Sequence, residues 1–182
     1  MSLRMNVLNF LLSHRDSVLN VPDHSAPGVY AIFTKVRESL PGIDLASNCL
    51  IYVGLASDLA LRNHFKAKNS GFHSPRRTLG AILQAQLHLK AIPRGSGASP
   101  TNYTNFRFTE DGEVRLTHWM AENLEYAIYP YRGDLASLET QLIRELEPPL
   151  NLTSWPNPQK PKIVALRAGC RDEAKRHMLN SQ

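Results

Sequence analysis

Two tyrosines and an arginine stand in this chain where they could serve phosphate chemistry. Tyr30 closes the segment Gly28-Val29-Tyr30, and Tyr52 opens Tyr52-Val53-Gly54. Each lies in an apolar run, Val29 to Phe33 and Cys49 to Val53, with turn residues close by: Pro27-Gly28, Pro41-Gly42 and Gly54. A helical pattern follows Ser57-Asp58 and carries Arg62 and His64. Hydrolysis of a phosphodiester needs an activated water, a charge clamp and a stabilised leaving group. Tyr30 can hold or accept a proton from the attacking water where nearby cations lower its pKa. Tyr52 can orient that water or a phosphate oxygen. Arg62 offers a fixed donor fork to oxygens that gain charge. Further along, Glu139 can ligate one hard divalent cation and leave positions for water and phosphate. Asn151 can bond the ligands of that cation or fix the junction between helix and loop.

The elements that must position these groups follow from periodicity. Residues 28–34 and 49–54 read as neighbouring strands, the second uncharged and expected at the centre of its sheet. Residues 5–14 place Met5, Leu8, Leu11 and Leu12 at helical spacing. Asp58 is a plausible cap for a helix to about Lys68, and Ser74-Pro75 starts another, with an apolar stripe of Leu79, Ile82, Leu83, Leu87 and Ala91. Residues 93–102 are a Gly/Ser/Pro loop. Tyr103, Phe106 and Phe108 suggest a strand, Glu110-Asp111-Gly112 a turn, and Val114-Arg115-Leu116 a partner strand. Thr117 could cap a short helix through Glu122. A strand is expected over 124–129. A helix follows Gly133-Asp134 to about Glu147, with Leu135, Leu138, Leu142, Ile143 and Leu146 on one face, and Pro148-Pro149 stops it. Residues 153–162 read as extended, and the basic tail as helical from Leu166 to Leu179.

Composition narrows the function classes. The 182 residues suffice for one domain with a real core, and 42% hydrophobic content is ordinary for a folded chain. A net charge of +5 favours polyanionic partners. The two cysteines, Cys49 and Cys170, form no metal-ligand pattern and imply no disulfide framework, which agrees with a reducing, cytoplasmic compartment. Cys49 reads as a small apolar filler of a buried strand. No apolar run reaches the roughly 18–20 residues of a membrane span. Residues 1–20 carry Arg4, His14, Arg15 and Asp16 and lack a signal-peptide pattern.

These segments together resemble the GIY-YIG nuclease superfamily. Gly28-Val29-Tyr30 stands in the place of the first name motif and Tyr52-Val53-Gly54 in the place of the second. Arg62 falls ten residues after Tyr52, where the family's arginine is found, and Glu139 precedes Pro148-Pro149-Leu150-Asn151, a match to its closing pattern. The resemblance implies the roles given above, with Glu139 as the metal ligand. Two departures stand out. Leu55 stands where several family members carry a lysine after the second motif's glycine, and Lys66 occupies the place of a His or Tyr that many members have four residues beyond the arginine. His64-Phe65-Lys66 followed by His73 reproduces the spacing of the phage homing-endonuclease branch. His64 is therefore the preferred histidine, with His73 as alternate.

The expected fold is α/β of the α+β kind, a small, mainly antiparallel central sheet flanked by helices. One domain should span 1–182, with a core at about 27–152, an insertion at about 90–132, a helical segment 1–20 and a basic segment 153–182. The expected function is a metal-dependent endonuclease hydrolysing DNA by in-line attack of water, with one Mg2+ or Mn2+ and no organic cofactor. Catalysis would rest on Tyr30, Tyr52, Arg62, His64, Glu139 and Asn151. Lys66, Lys68, His73, Arg76 and Arg77 would bind the phosphate backbone. A non-catalytic nucleic-acid-binding module on the same scaffold is the alternative, and a protein-interaction domain on a retired nuclease scaffold a third reading.

Overall fold

The computed structural model describes residues 3–20, 25–61, 64–65, 69–95 and 99–180. Strands and helices in chain order are α1 (Leu3–Ser13), β1 (Asp16–Ser17), β2 (Gly28–Thr34), β3 (Leu50–Ala56), α2 (Ser74–Ile82), β4 (Ala91–Ile92), α3 (Pro100–Thr104), β5 (Arg107–Phe108), α4 (Glu110–Asn123), β6 (Leu124–Pro130), α5 (Leu135–Leu146) and α6 (Lys160–Leu179). They gather into two compact units, residues 1–63 with 121–159, and residues 64–120 with 160–182. The class is α+β, and no described helix is long and apolar enough to cross a membrane.

The first unit holds an antiparallel sheet in the order β1-β6-β2-β3. β2, not β3, lies between two full-length neighbours, so the expectation of a central second strand is corrected. β3 is an edge strand, and its lack of charge has another cause. The chain beyond α5 covers its outer side: Leu150 N–H donates to the Ile51 carbonyl at 2.9 Å. The Asn151 carboxamide then takes both backbone groups of Val53, accepting from its N–H at 2.9 Å and donating to its carbonyl at 2.8 Å. Alternation along β2 sends Val29, Ala31 and Phe33 to one face, where they pack with Val53 and Ala127. Val7 and Leu11 of α1 and Leu138, Leu142 and Ile143 of α5 close this core. Tyr30 and Ile32 point to the other face. Asp134 caps α5 by accepting from Ser137 N–H at 3.0 Å, and Glu147 ends it with φ 47°.

The second unit packs α2, α3, α4 and α6 around a two-stranded ribbon of β4 and β5. Here the sequence expectations need correction. Residues 110–123 form one helix rather than a turn, a strand and a short helix. Glu110, Asp111 and Glu113 in its first turn suit a helix N-terminus, and Glu113, Leu116 and Met120 give it a buried stripe. The strand expected from Tyr103 is only Arg107–Phe108, because Pro100–Thr104 is helical. α2 stops at Ile82, and Ala91 joins β4. α6 begins at Lys160, six residues before the expected start, because Pro161 is tolerated in a first turn. Cys49 precedes β3, half-buried with φ 58°, rather than filling a strand. Residues 59–61 are turn where a helix was expected, with Ala60 N–H donating to Asp58 Oδ1 at 2.9 Å. The remainder of that expected helix includes residues outside those described.

One ion pair ties the interior of this unit. Arg76 is fully buried and its Nε donates to Glu113 Oε2 at 2.9 Å. The other carboxylate oxygen accepts from Ser70 N–H at 2.8 Å and Phe108 N–H at 3.1 Å. Arg76 Nη2 donates to the Glu113 carbonyl and to Thr117 Oγ1, both at 2.8 Å, and Nη1 reaches the His64 carbonyl at 3.3 Å. Burial lowers the Arg76 pKa from its ordinary value, and Glu113 opposes that shift. Glu113→Ala should cost about 3–5 kcal/mol in chemical denaturation, since it leaves a buried guanidinium without a counter-charge. The double variant Arg76→Met, Glu113→Leu should cost less than Glu113→Ala alone, because no charge is then stranded.

Candidate active site

The antiparallel register brings the two motif tyrosines together. Tyr30 lies opposite Gly54 and Ile32 opposite Tyr52, so both tyrosines occupy the same sheet face. Their ring centroids are 6.1 Å apart with planes tilted by 34°. Tyr30 is buried at 3% exposure, whereas Tyr52 is half-buried. The Tyr30 ring crosses the backbone of β3 at Gly54. A Cβ at that position would lie 2.5 Å from both Cζ and the hydroxyl oxygen of Tyr30, and 2.9 Å from Tyr52 Cε1. The bare glycine thus lets a hydroxyl borne by the central strand reach the edge strand.

A third tyrosine joins them. Tyr126 of β6 lies opposite Ile32, and its ring centroid is 5.5 Å from that of Tyr30. Sequence reasoning expected the strand but did not single out this residue. The signal was present in the alternation of Leu124, Tyr126 and Ile128, which put an aromatic on the Tyr30 side once β6 was paired with β2.

Asn151 contributes position. Both polar ends of its carboxamide are taken by Val53, the residue between Tyr52 and Gly54. Its own carbonyl accepts from Trp155 Nε1 and Asn157 Nδ2, each at 2.9 Å. These bonds fix the backbone that carries Tyr52.

Glu139 lies on α5 with Leu135, Leu142 and Ile143 at three- and four-residue spacing and Leu146 seven residues on. It is half-buried, while Glu145 and Glu147 are exposed. A carboxylate inside an apolar stripe is the donor on this helix suited to a cation. Among the described residues no three His, Cys, Asp or Glu side chains cluster to hold a metal. A cation at Glu139 would therefore keep water and substrate oxygens as its other ligands, as Mg2+ commonly does.

The remaining expected residues fall as follows. Arg62, Lys66 and Lys68 lie outside the described residues. In the second unit, His64 is buried and its Nδ1 lies 3.2 Å from Nδ1 of half-buried His73, the rings 5.3 Å apart and nearly perpendicular. One ring must donate and the other accept, so the shared edge holds one proton. Arg76 and Arg77 were expected at a surface that meets a phosphate backbone. Arg76 is instead internal, its fork taken by Glu113, Thr117 and backbone carbonyls. Arg77 is 7% exposed. Alternating helix-face reasoning could not separate two adjacent arginines at a helix start.

The GIY-YIG catalytic domain model matches residues 28–173, which includes both motif tyrosines, Glu139 and Asn151. No curated protein and no solved structure matches the chain.

Replacing Asn151 by Ala should destabilise the fold by about 2–4 kcal/mol, because a buried N–H and a buried carbonyl of Val53 both lose their partners. Denaturant unfolding checks the magnitude. Gly54→Ala should cost about 1–3 kcal/mol through overpacking against Tyr30, and any nuclease activity should fall further than stability does, because the hydroxyl is displaced.

Proposed function

The chain belongs to the GIY-YIG family, which implies a nuclease, and from that premise we propose a metal-dependent endonuclease that hydrolyses DNA by in-line attack of water. The observation that carries this reading is the pair of tyrosines on one sheet face, with the Tyr30 hydroxyl laid over Gly54.

Roles follow from chemistry. Tyr30 holds or accepts the proton of the attacking water, and Tyr52, set by the Asn151 clamp on Val53, orients the water or a phosphate oxygen. Arg62 supplies donors for oxygens that gain charge in the transition state. His64, with His73 as alternate, can move a proton at the nitrogens that face one another. Glu139 would hold the one divalent ion, Mg2+ or Mn2+, that GIY-YIG nucleases typically use, and that ion supplies charge stabilisation at the phosphate. Lys66, Lys68 and His73 are the residues proposed for backbone contacts. The compartment proposed is the cytoplasm, from the cysteine pattern.

One alternative has observations behind it. Leu55 stands where several family members carry lysine and packs against the hydrophobic core, and His64 is buried against His73. Both favour a nucleic-acid-binding module without turnover.

A plasmid nicking assay with magnesium or manganese separates the two. For the nuclease, wild type cleaves, while Glu139→Ala and Tyr30→Phe lose cleavage and keep DNA binding in gel-shift titrations. The carboxylate acts on the transition state, whereas ground-state affinity comes mostly from cations on phosphates. Arg62→Ala should lower the rate roughly 10²–10³-fold, by analogy with loss of one charge-stabilising donor. Binding without cleavage by wild type under either metal would replace the nuclease by the module.

A further inference from the structure

Arg76 and Arg77 are consecutive and both buried, yet among the described residues only Arg76 has a carboxylate partner. The Arg77 Nη1 donates to the Gly71 carbonyl at 3.0 Å, and its buried Nε finds no hydrogen-bond partner among the described residues. Arg94 meets Arg77 at the same glycine. A Cβ on Gly71 would lie 2.6 Å from Arg94 Cγ, so the stem of Arg94 rests on the residue whose carbonyl Arg77 holds. The Arg77 pKa is pushed down to about 10, by burial first and then by the positive charges of Arg167 and Arg94. Arg167, on α6, is itself half-buried and lines a surface recess with Thr104, Val164 and Arg171.

A buried, unfilled donor on which two further positive charges bear is unfavourable until an anion arrives. Guanidinium forks fit phosphate oxygens, often two at a time. Beside them stands Phe72, a ring left 66% exposed, with Arg94 Cζ 4.6 Å from its centroid. An exposed aromatic next to clustered cations is the pairing that binds unpaired nucleotides, the base on the ring and the phosphate on the charge. We propose that Arg77, Arg94 and Arg167 hold a phosphate group of a single-stranded nucleic-acid segment, whose neighbouring base stacks on Phe72. The nature of the strand rests on the nucleic-acid reading above, but the site does not require cleavage.

The test uses the full chain in two assays. Thermal unfolding is followed in inorganic phosphate and in chloride at matched pH and ionic strength. Fluorescence anisotropy is followed with a labelled single-stranded oligonucleotide bearing a 5′-hydroxyl or a 5′-phosphate. Phosphate should raise the wild-type midpoint more than chloride does, and Arg167→Gln or Arg94→Gln should lose that difference. Arg77→Gln, where it folds, should unfold at a higher temperature than wild type without phosphate and not respond to it. Single-strand affinity should fall about tenfold or more in Arg167→Gln, which removes a charge-assisted contact. Phe72→Ala should lower it roughly fivefold or more while keeping the response to inorganic phosphate. Tighter binding of the 5′-phosphorylated strand assigns the ligand as a strand end, and equal binding assigns it as backbone. Equal effects of phosphate and chloride on wild type, a phosphate response that survives Arg167→Gln, or single-strand affinity indifferent to Phe72→Ala each overturn the proposal. Loss of cleavage in the nicking assay moves none of these readouts, so the two readings fail separately.

Discussion

The edge of a sheet leaves a row of backbone N–H and carbonyl groups without partners. In this chain that row belongs to β3, the strand that carries Tyr52 and Gly54. Leu150 and Asn151 satisfy it at Ile51 and Val53. Much of the tyrosine face depends on this closure. The edge can be apolar because chain from beyond α5 shields it. The glycine can be bare because the strand is held by bonds on either side of it, so its lost side chain does not loosen the pairing. Pro148 and Pro149, which end the helix, also aim the chain so that the next two residues reach the strand.

Charge in the second unit is arranged by a different constraint. A buried guanidinium needs a partner, and Glu113 meets the need of Arg76 while collecting two backbone N–H groups and the Ser70 hydroxyl. One carboxylate thus joins the start of α2, the turn before it, β5 and α4. Among the described residues the neighbouring Arg77 has only a carbonyl, and two more positive charges bear on it. Adjacent positions of identical residue type therefore have opposite roles, one closing the interior and the other leaving a demand for an anion.

How much of this could be read from the sequence divides along physical lines. β2, β6 and α5 were legible because their apolar residues repeat at the period of the element. The meeting of Tyr30 and Tyr52 on one sheet face was legible because both stand in short motifs on adjacent strands. The edge position of β3 was not, since an uncharged run signals burial on both faces and cannot tell whether a strand or a side chain covers its side. α4 was missed because Glu110-Asp111-Gly112 has the composition of a turn, and only packing of Leu116 and Met120 into the core makes it a first helical turn. The burial of Arg76 was invisible because its partner Glu113 lies thirty-seven residues away, in a segment expected to be strand.

The pairing of Tyr30 with Gly54 also bears on how such chains can diverge. Side chains in a strand alternate, so a shift of one residue in β3 would turn Tyr52 toward the hydrophobic core and set a bulky neighbour under the Tyr30 ring. The connection between the strands, residues 35–49, is under no such rule, because closing a longer loop adds little cost. Insertions and deletions can therefore accumulate there by any number, odd or even. Within Tyr52-Val53-Gly54 not one is tolerated. Lineages descended from this chain would keep the parity of the motif while losing the distance between its halves, and a comparison that scores distance would separate relatives that one scoring parity would unite.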